Sequence, residues 1–220
     1  TNRPPYLIAK GVLNVALNRP VTSSVKPFTG ELTQVTDGKK EAFDYDAVEM
    51  KKGTQWIQVD LGHHYSIQAV VMWHDHRYIQ AMHDVIVQIS EDPEFTDNVR
   101  TVFNNDMDNS SSLGVGTDKE YFETHEGKIV DAKGVRGRYV RAYTKGGSLS
   151  ALNCWQEMEV YALPAMAAVG ASMLPPPSEP VATAPLAVVP EAGNQLVAVR
   201  PPEISSDRKA ALSSVPPAVR

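Results

Sequence analysis

Apolar and polar residues alternate along much of this chain. In Gln55-Trp56-Ile57-Gln58-Val59-Asp60-Leu61, the residues Ile57, Val59 and Leu61 fall on one side and Gln58 and Asp60 on the other, the period of a strand with one face in a core. Val140 and Ala142 alternate with Tyr139, Arg141 and Tyr143. Gln156, Met158 and Val160 alternate with Glu157, Glu159 and Tyr161. The pattern predicts strands over 14–24, 34–36, 55–61, 67–74, 84–90, 101–103, 120–125, 137–144 and 155–162, separated by turn signals such as Asp37-Gly38, Leu61-Gly62, Asp92-Pro93 and Gly146-Gly147. Gly62 is expected to end the strand that begins at Gln55. No amphipathic helical stretch of useful length interrupts the series, so the pattern predicts an all-β sandwich or barrel.

The pattern stops near Pro164. No Phe, Trp or Tyr follows Tyr161, while the stretch beyond carries Pro175, Pro176, Pro177, Pro180, Pro185, Pro190 and four further prolines among Ala, Val and Ser. Such a segment cannot bury a core of its own and is expected to be extended. The organisation expected is therefore an N-terminal arm over 1–10, a β-sandwich over 11–164, and a long Pro/Ala-rich extended tail over 165–220. For the tail two readings stand. It is a flexible linker, or it lies along a partner protein through Leu186, Val188, Val189, Leu196, Val197 and Val199.

Composition narrows the function classes. The chain has 220 residues and a formal charge of −5, so a nucleic-acid partner, which calls for a basic face, is not expected. No apolar run approaches the roughly 20 residues of a spanning helix, and the start at Thr1, with no signal-like segment, reads as a processed or trimmed product. The single cysteine, Cys154, beside Trp155, is expected to be a buried thiol. No nucleophile motif appears, and Leu113-Gly114-Val115-Gly116 lacks the third glycine of a nucleotide loop. No catalytic function is expected.

Several motifs resemble those of a known family. Asn14-Val15-Ala16-Leu17-Asn18-Arg19-Pro20-Val21-Thr22-Ser23-Ser24 resembles the opening of discoidin domains, also called coagulation-factor type C domains. Thr36-Asp37-Gly38 resembles their Asp-Gly loop, and Trp56 to Leu61 with Gly62 their central strand. Asp84 to Ser90 followed by Glu91-Asp92-Pro93, then Gly137-Arg138-Tyr139-Val140-Arg141, then Glu157-Met158-Glu159-Val160-Tyr161 complete an ordered set from Asn14 to Leu163. The resemblance implies a discoidin-like jelly-roll β-sandwich, close to family 32 carbohydrate-binding modules, that recognises sugars, lipids or proteins and works outside the cytoplasm.

The same resemblance points to sites. A structural Ca2+ would lie between the Asp-Gly loop and the last strand, at Asp37 and Glu157. A hard cation suits carboxylates beside turn carbonyls, although Lys39 and Lys40 follow at once. The other reading is that Asp37 caps its turn and Glu157 pairs with a lysine. Ligand would bind at the loops from His74 to Gln80 and from Lys145 to Asn153, with His74, His76, Arg77, Tyr78, Lys145 and Asn153 as candidate ligand-binding residues; the other reading is a solvated loop. His74 and His76 alone do not complete a metal set. Asp106-Met107-Asp108-Asn109-Ser110-Ser111-Ser112 starts like a helix-loop-helix calcium loop but has Ser111 where glycine and Thr117 where glutamate is needed, so local side-chain turns, not a cation, are expected over the Asx-rich segment Asn104–Asn109. Two functions follow: an accessory or docking subunit of a larger extracytoplasmic complex, its tail along a partner, or a module binding surface carbohydrate.

Overall fold

The computed structural model describes residues 5–43 and 47–165, and the backbone of 196–199. Its strands in chain order are β1 (Tyr6–Ala9), β2 (Leu13–Asn14), β3 (Val21–Ser23), β4 (Val48–Met50), β5 (Gln55–His74), β6 (Gln80–Ala81), β7 (Ile86–Ser90), β8 (Arg100–Asn104), β9 (Phe122–Glu123), β10 (Lys128–Thr144), β11 (Asn153–Pro164) and β12 (Leu196–Val199). The central pair is β5 and β10, each long enough to serve two layers. The first part of β5 pairs with β3 (Val59 opposite Val21) and with the last part of β10 (Thr144 opposite Gln55). Its second part pairs with β11 (Val160 opposite Val70) and with the first part of β10 (Val130 opposite Val70). On the front layer β7 and β8 continue the sheet from β10; on the back layer β2 and β4 flank β11. All these pairings are antiparallel, and the result is a jelly-roll-like sandwich of the discoidin type.

Gly62 does not end its strand. It bends it, at φ +81°, and a Cβ there would stand 2.9 Å from Nη1 of Arg19. The bend holds because β10 bends with it, with a register shift between Gly137 and Tyr139. Asp60 fastens the corner, accepting the Gly62 N–H at 2.8 Å and a two-pronged bond from Arg138 at 2.7 and 2.9 Å. Two other expectations change. Residues 34–36 lie in a 3-10 turn, Leu32–Thr36, because Glu31 and Gln34 cap each other across its start. Residues 14–24 are not one strand: Asn18 adopts φ +57° between β2 and β3.

The alternation read from the sequence supplies the core. Ile57, Val59, Leu61, Val140, Ala142, Met158 and Val160 are all fully buried and pack with Ile67, Val70, Met72, Val87, Ile89 and Trp155. Each large side chain of this kind contributes about 1.5–3 kcal/mol by leaving water. Apart from this core, β1 pairs with β12, Ile8 opposite Val197. Leu196, Val197 and Val199 thus lie on a strand paired with the chain's own start. Leu186, Val188 and Val189 lie outside the described residues.

Candidate functional site

The strand ends decide where chemistry can gather. β5 ends at His74, β10 at Thr144 and β8 at Asn104, while β7 begins at Ile86 and β11 at Asn153. Their pairings bring all five ends to one pole of the sandwich, so the connections 75–85, 105–121 and 145–152 share it. Two of these are joined directly. His83 donates its N–H to the Gly146 carbonyl and Lys145 donates to the His83 carbonyl, both at 3.0 Å, and Ser148 donates to Ala81 at 2.8 Å. The Ala81 N–H donates in return to the Ser148 hydroxyl at 3.1 Å.

The candidate residues read from sequence divide by burial. Asn153 is fully buried. Its carbonyl accepts from the Thr144 hydroxyl (2.7 Å) and the Gly146 N–H (3.0 Å), and its amide donates to the carbonyls of Lys51 (2.8 Å) and Gly53 (2.9 Å). His74 is fully buried too, shares a 2.7 Å hydrogen bond with the buried Glu123, and lies 4.2 Å from the Trp155 ring. His76 is 5% exposed, its Nδ1 at 3.0 Å from the His74 carbonyl oxygen. These three hold the pole together from inside. Arg77 forms a fork on Asp75 (2.9 and 2.7 Å), and Tyr78 is 71% exposed. Lys145 lines a cavity.

That cavity is an open depression of about 480 Å³ lined by Met82, His83, Asp84, Met107, Asp108, Ser110 and Lys145, with Asn105 and Glu120 completing it. The Lys145 ammonium donates to the Ser110 hydroxyl at 2.7 Å, which donates to Asp84 at 2.6 Å; the ammonium and Asp84 are 3.4 Å apart. Asp84, Asp106 and Asp108 bring carboxylate oxygens within 4.8 Å of one another, a spacing that could hold a metal ion. Asp106 is already engaged: it accepts the N–H groups of Ser110 (3.0 Å) and Ser111 (2.9 Å) and the Ser111 hydroxyl. Burial alone would raise its carboxyl, but these donors hold it below its ordinary value. The local turns expected over 104–109 are therefore present, the Asp106 N–H also donating to the Asn104 side chain at 2.8 Å. Sequence reasoning missed Asp84 as a partner of Lys145, since 61 positions separate them in the chain and only the sheet pairing unites them.

The second expected site lies on the outer side of the back layer. The Gly38 N–H donates to Oε1 of Glu157 at 3.1 Å, while Oε2, in a fully buried side chain, has no hydrogen-bond partner. Burial first, then repulsion from Glu159 and Asp37, pushes this carboxyl up to about 9 against the Gly38 N–H and Lys40. Lys40 is committed to Glu159 at 2.6 Å and Lys39 to Asp37 at 3.3 Å. An orphaned buried carboxylate oxygen beside a second carboxylate fits a hard cation.

Comparison with known proteins supplies the context. Residues 34–142 match the family model of the NedA-like, galactose-binding domain. No curated protein sequence matches the chain. Among solved structures, a family 89 glycoside hydrolase from Clostridium perfringens, in complex with PUGNAc, is similar over 78% of this chain and 16% of its own, with a TM-score of 0.53 and 18% identity. A fucolectin from the serum of Morone saxatilis (striped bass) is similar over 69% and 49%, with a TM-score of 0.51 and 16% identity. A fucose-binding module of Streptococcus pneumoniae is similar over 68% and 97%, with a TM-score of 0.47 and 16% identity. The chain thus spans about a sixth of the hydrolase, and at these identities its likeness to the hydrolase and the fucolectin is one of fold. Among the described residues no helix is long and apolar enough to cross a membrane, which says nothing of a β-barrel.

Proposed function

The chain carries a coagulation-factor type C, galactose-binding-like domain, and from that premise we propose that it is a non-catalytic carbohydrate-recognition module working outside the cytoplasm, with its sugar at the loop pole beside Lys145. The observation that carries this reading is the Lys145–Ser110–Asp84 relay in an open depression. Vicinal sugar hydroxyls both donate and accept, so an ammonium and a carboxylate on either side of a hydroxyl offer matched partners. Met82 and Met107 line the same depression and give an adaptable apolar surface for the sugar's C–H face. Arg77 and Tyr78 stand on the neighbouring loop. His74, His76 and Asn153 act as positioning residues that fix the loop backbones.

Asp37 and Glu157 would hold a calcium ion whose role is structural, fastening the Asp-Gly loop to β11. The docking reading draws no support from the described residues: Leu186, Val188 and Val189 lie outside them, and Leu196, Val197 and Val199 lie on a strand paired with the chain's own β1.

The test is calorimetric titration of the full chain with galactose, fucose and N-acetylhexosamines, against Lys145→Ala and Asp84→Asn. A charged hydrogen bond of about 1.5–3 kcal/mol implies a loss of roughly tenfold or more for each variant. Binding unchanged in both variants would remove the sugar from this pole.

A further inference from the structure

A second site lies on the outer face of the front layer, away from the loop pole. Strand alternation, which sends Ile57, Val59, Val140 and Ala142 inward, leaves Trp56, Gln58 and Asp60 of β5 and Tyr139 and Arg141 of β10 on the outside. With Thr22 of β3 and the rim residues Pro93 and Glu94 they enclose a groove of about 410 Å³. Thr22 also lines a broader depression of about 950 Å³ beside β3, which includes Phe28 and Leu32. Thr22 is common to the linings of the two hollows, which therefore adjoin along β3.

The groove is built rigidly. The Arg141 guanidinium lies 4.2 Å from the Trp56 ring centroid and 4.1 Å from that of Phe95; its Nε donates to Gln58 at 2.8 Å and its Nη2 to the Pro93 carbonyl at 3.2 Å. Phe95 pays for this stack with φ +56°, a conformation rare for an aromatic residue and concentrated at functional positions. Asp92 fixes the rim turn by accepting the N–H groups of Glu94 (3.0 Å) and Thr96 (2.9 Å) and the Thr96 hydroxyl (2.7 Å).

What remains for a ligand has a definite character. Arg141 is spent within the stack and Arg138 on Asp60. Among the described residues, the side chains of Thr22, Glu94 and Tyr139 form no hydrogen bond, and Trp56 and Tyr139 are partly exposed. Aromatic rings beside free hydroxyl and carboxylate groups suit a sugar, whose C–H face stacks while its hydroxyls bond. Arg138 is paired with Asp60 and Glu94 offsets the charge of Arg141, so the groove carries no net positive charge to draw in an anionic chain.

We propose that this groove is a second saccharide site, taking an extended stretch of a neutral polysaccharide across β3, β5 and β10 rather than a terminal sugar. It stands apart from the Lys145 pole and does not depend on binding there.

Tryptophan emission separates the two sites. Trp73 is 2% exposed and Trp155 0%, so Trp56 is the indole open to a ligand, and none lines the loop-pole depression. The full chain is titrated with neutral gluco-, xylo-, manno- and galacto-oligosaccharides, from disaccharides to hexasaccharides, with the monosaccharides as controls. The expected result is an emission change whose affinity rises with chain length, persists in Lys145→Ala, and weakens about tenfold in Glu94→Gln and Tyr139→Ala. Glu94 is exposed, so its variant tests the groove without threatening the fold. No emission change with any oligosaccharide, or a change untouched by both groove variants, overturns the proposal. A change lost in Lys145→Ala alone assigns all binding to the loop pole and overturns it equally.

Discussion

Glu157 is the residue whose chemistry is most out of line with its surroundings. Its carboxyl is fully buried, faces Glu159 and Asp37, and sits at about 9 in place of the ordinary 4.5. Without a cation it holds its proton at neutral pH. A carboxyl raised in the folded state contributes stability that is fully present below about 4.5 and is lost as pH climbs through about 9, because the unfolded chain gives the proton up first. The chain in chelator is therefore expected to melt at progressively lower temperature from pH 5 to pH 9, and Glu157→Gln to flatten that slope. At the proposed site calcium would replace the proton as the countercharge, so it should raise the melting temperature of the wild type at pH 8 by more than that of Glu157→Gln, which keeps the Asp84, Asp106 and Asp108 carboxylates. Thermal melts by circular dichroism in chelator and in millimolar calcium decide it; an equal calcium response in both chains would sink the assignment. The sequence made Asp37 and Glu157 legible as a pair through their motifs. It could not make legible the orphaned oxygen, which depends on Gly38 taking one side of the carboxylate.

Among the elements, the bent strand β5 shows where reading by pattern works and where it stops. Alternation identified Ile57, Val59 and Leu61 as core because period 2 is a local property of extended backbone. It misread Gly62, because whether a glycine ends a strand or bends it depends on whether β10 follows, a contact more than 70 positions away. Residues 34–36 were misread for a different reason: their apolar-polar order fits either state, and the reciprocal Glu31–Gln34 cap settles it. Gly62→Ala is expected to destabilise the chain by about 1–3 kcal/mol, since it forces a side chain to φ +81° and against Arg19. At the loop pole, Asn153→Ala removes both Thr144 and Gly146 from their acceptor and leaves two carbonyls without a donor. Several buried bonds lost together should cost roughly 2–4 kcal/mol, and sugar affinity should fall with loop order even though Asn153 touches no ligand. Urea unfolding measures the first effect. Titration well below the variant's midpoint measures the second, and unchanged affinity would show that the loops hold without it.

For the whole molecule, the open matter is how much of the chain the sandwich needs. The hydrophobic cluster runs from Ala16 to Ala162, and every strand of the eight-stranded sheet lies between Leu13 and Pro164. Beyond Ala165 the described contribution is β12, four residues paired with β1 in a sheet of its own. Two strands of four residues add little stability by themselves. A chain ending at Ala165 is therefore expected to fold, to melt within a few degrees of the full chain, and to keep both saccharide responses, the one beside Lys145 and the one at Trp56. Hydrogen exchange should rise at Tyr6–Ala9, which loses its partner, and nowhere in β5, β10 or β11. If the shortened chain instead lost the exchange protection of β5, the tail would be part of the folding unit. If it folded but lost a stoichiometric protein partner that the full chain retains on pull-down, the tail would be an anchor and the sandwich its recognition head.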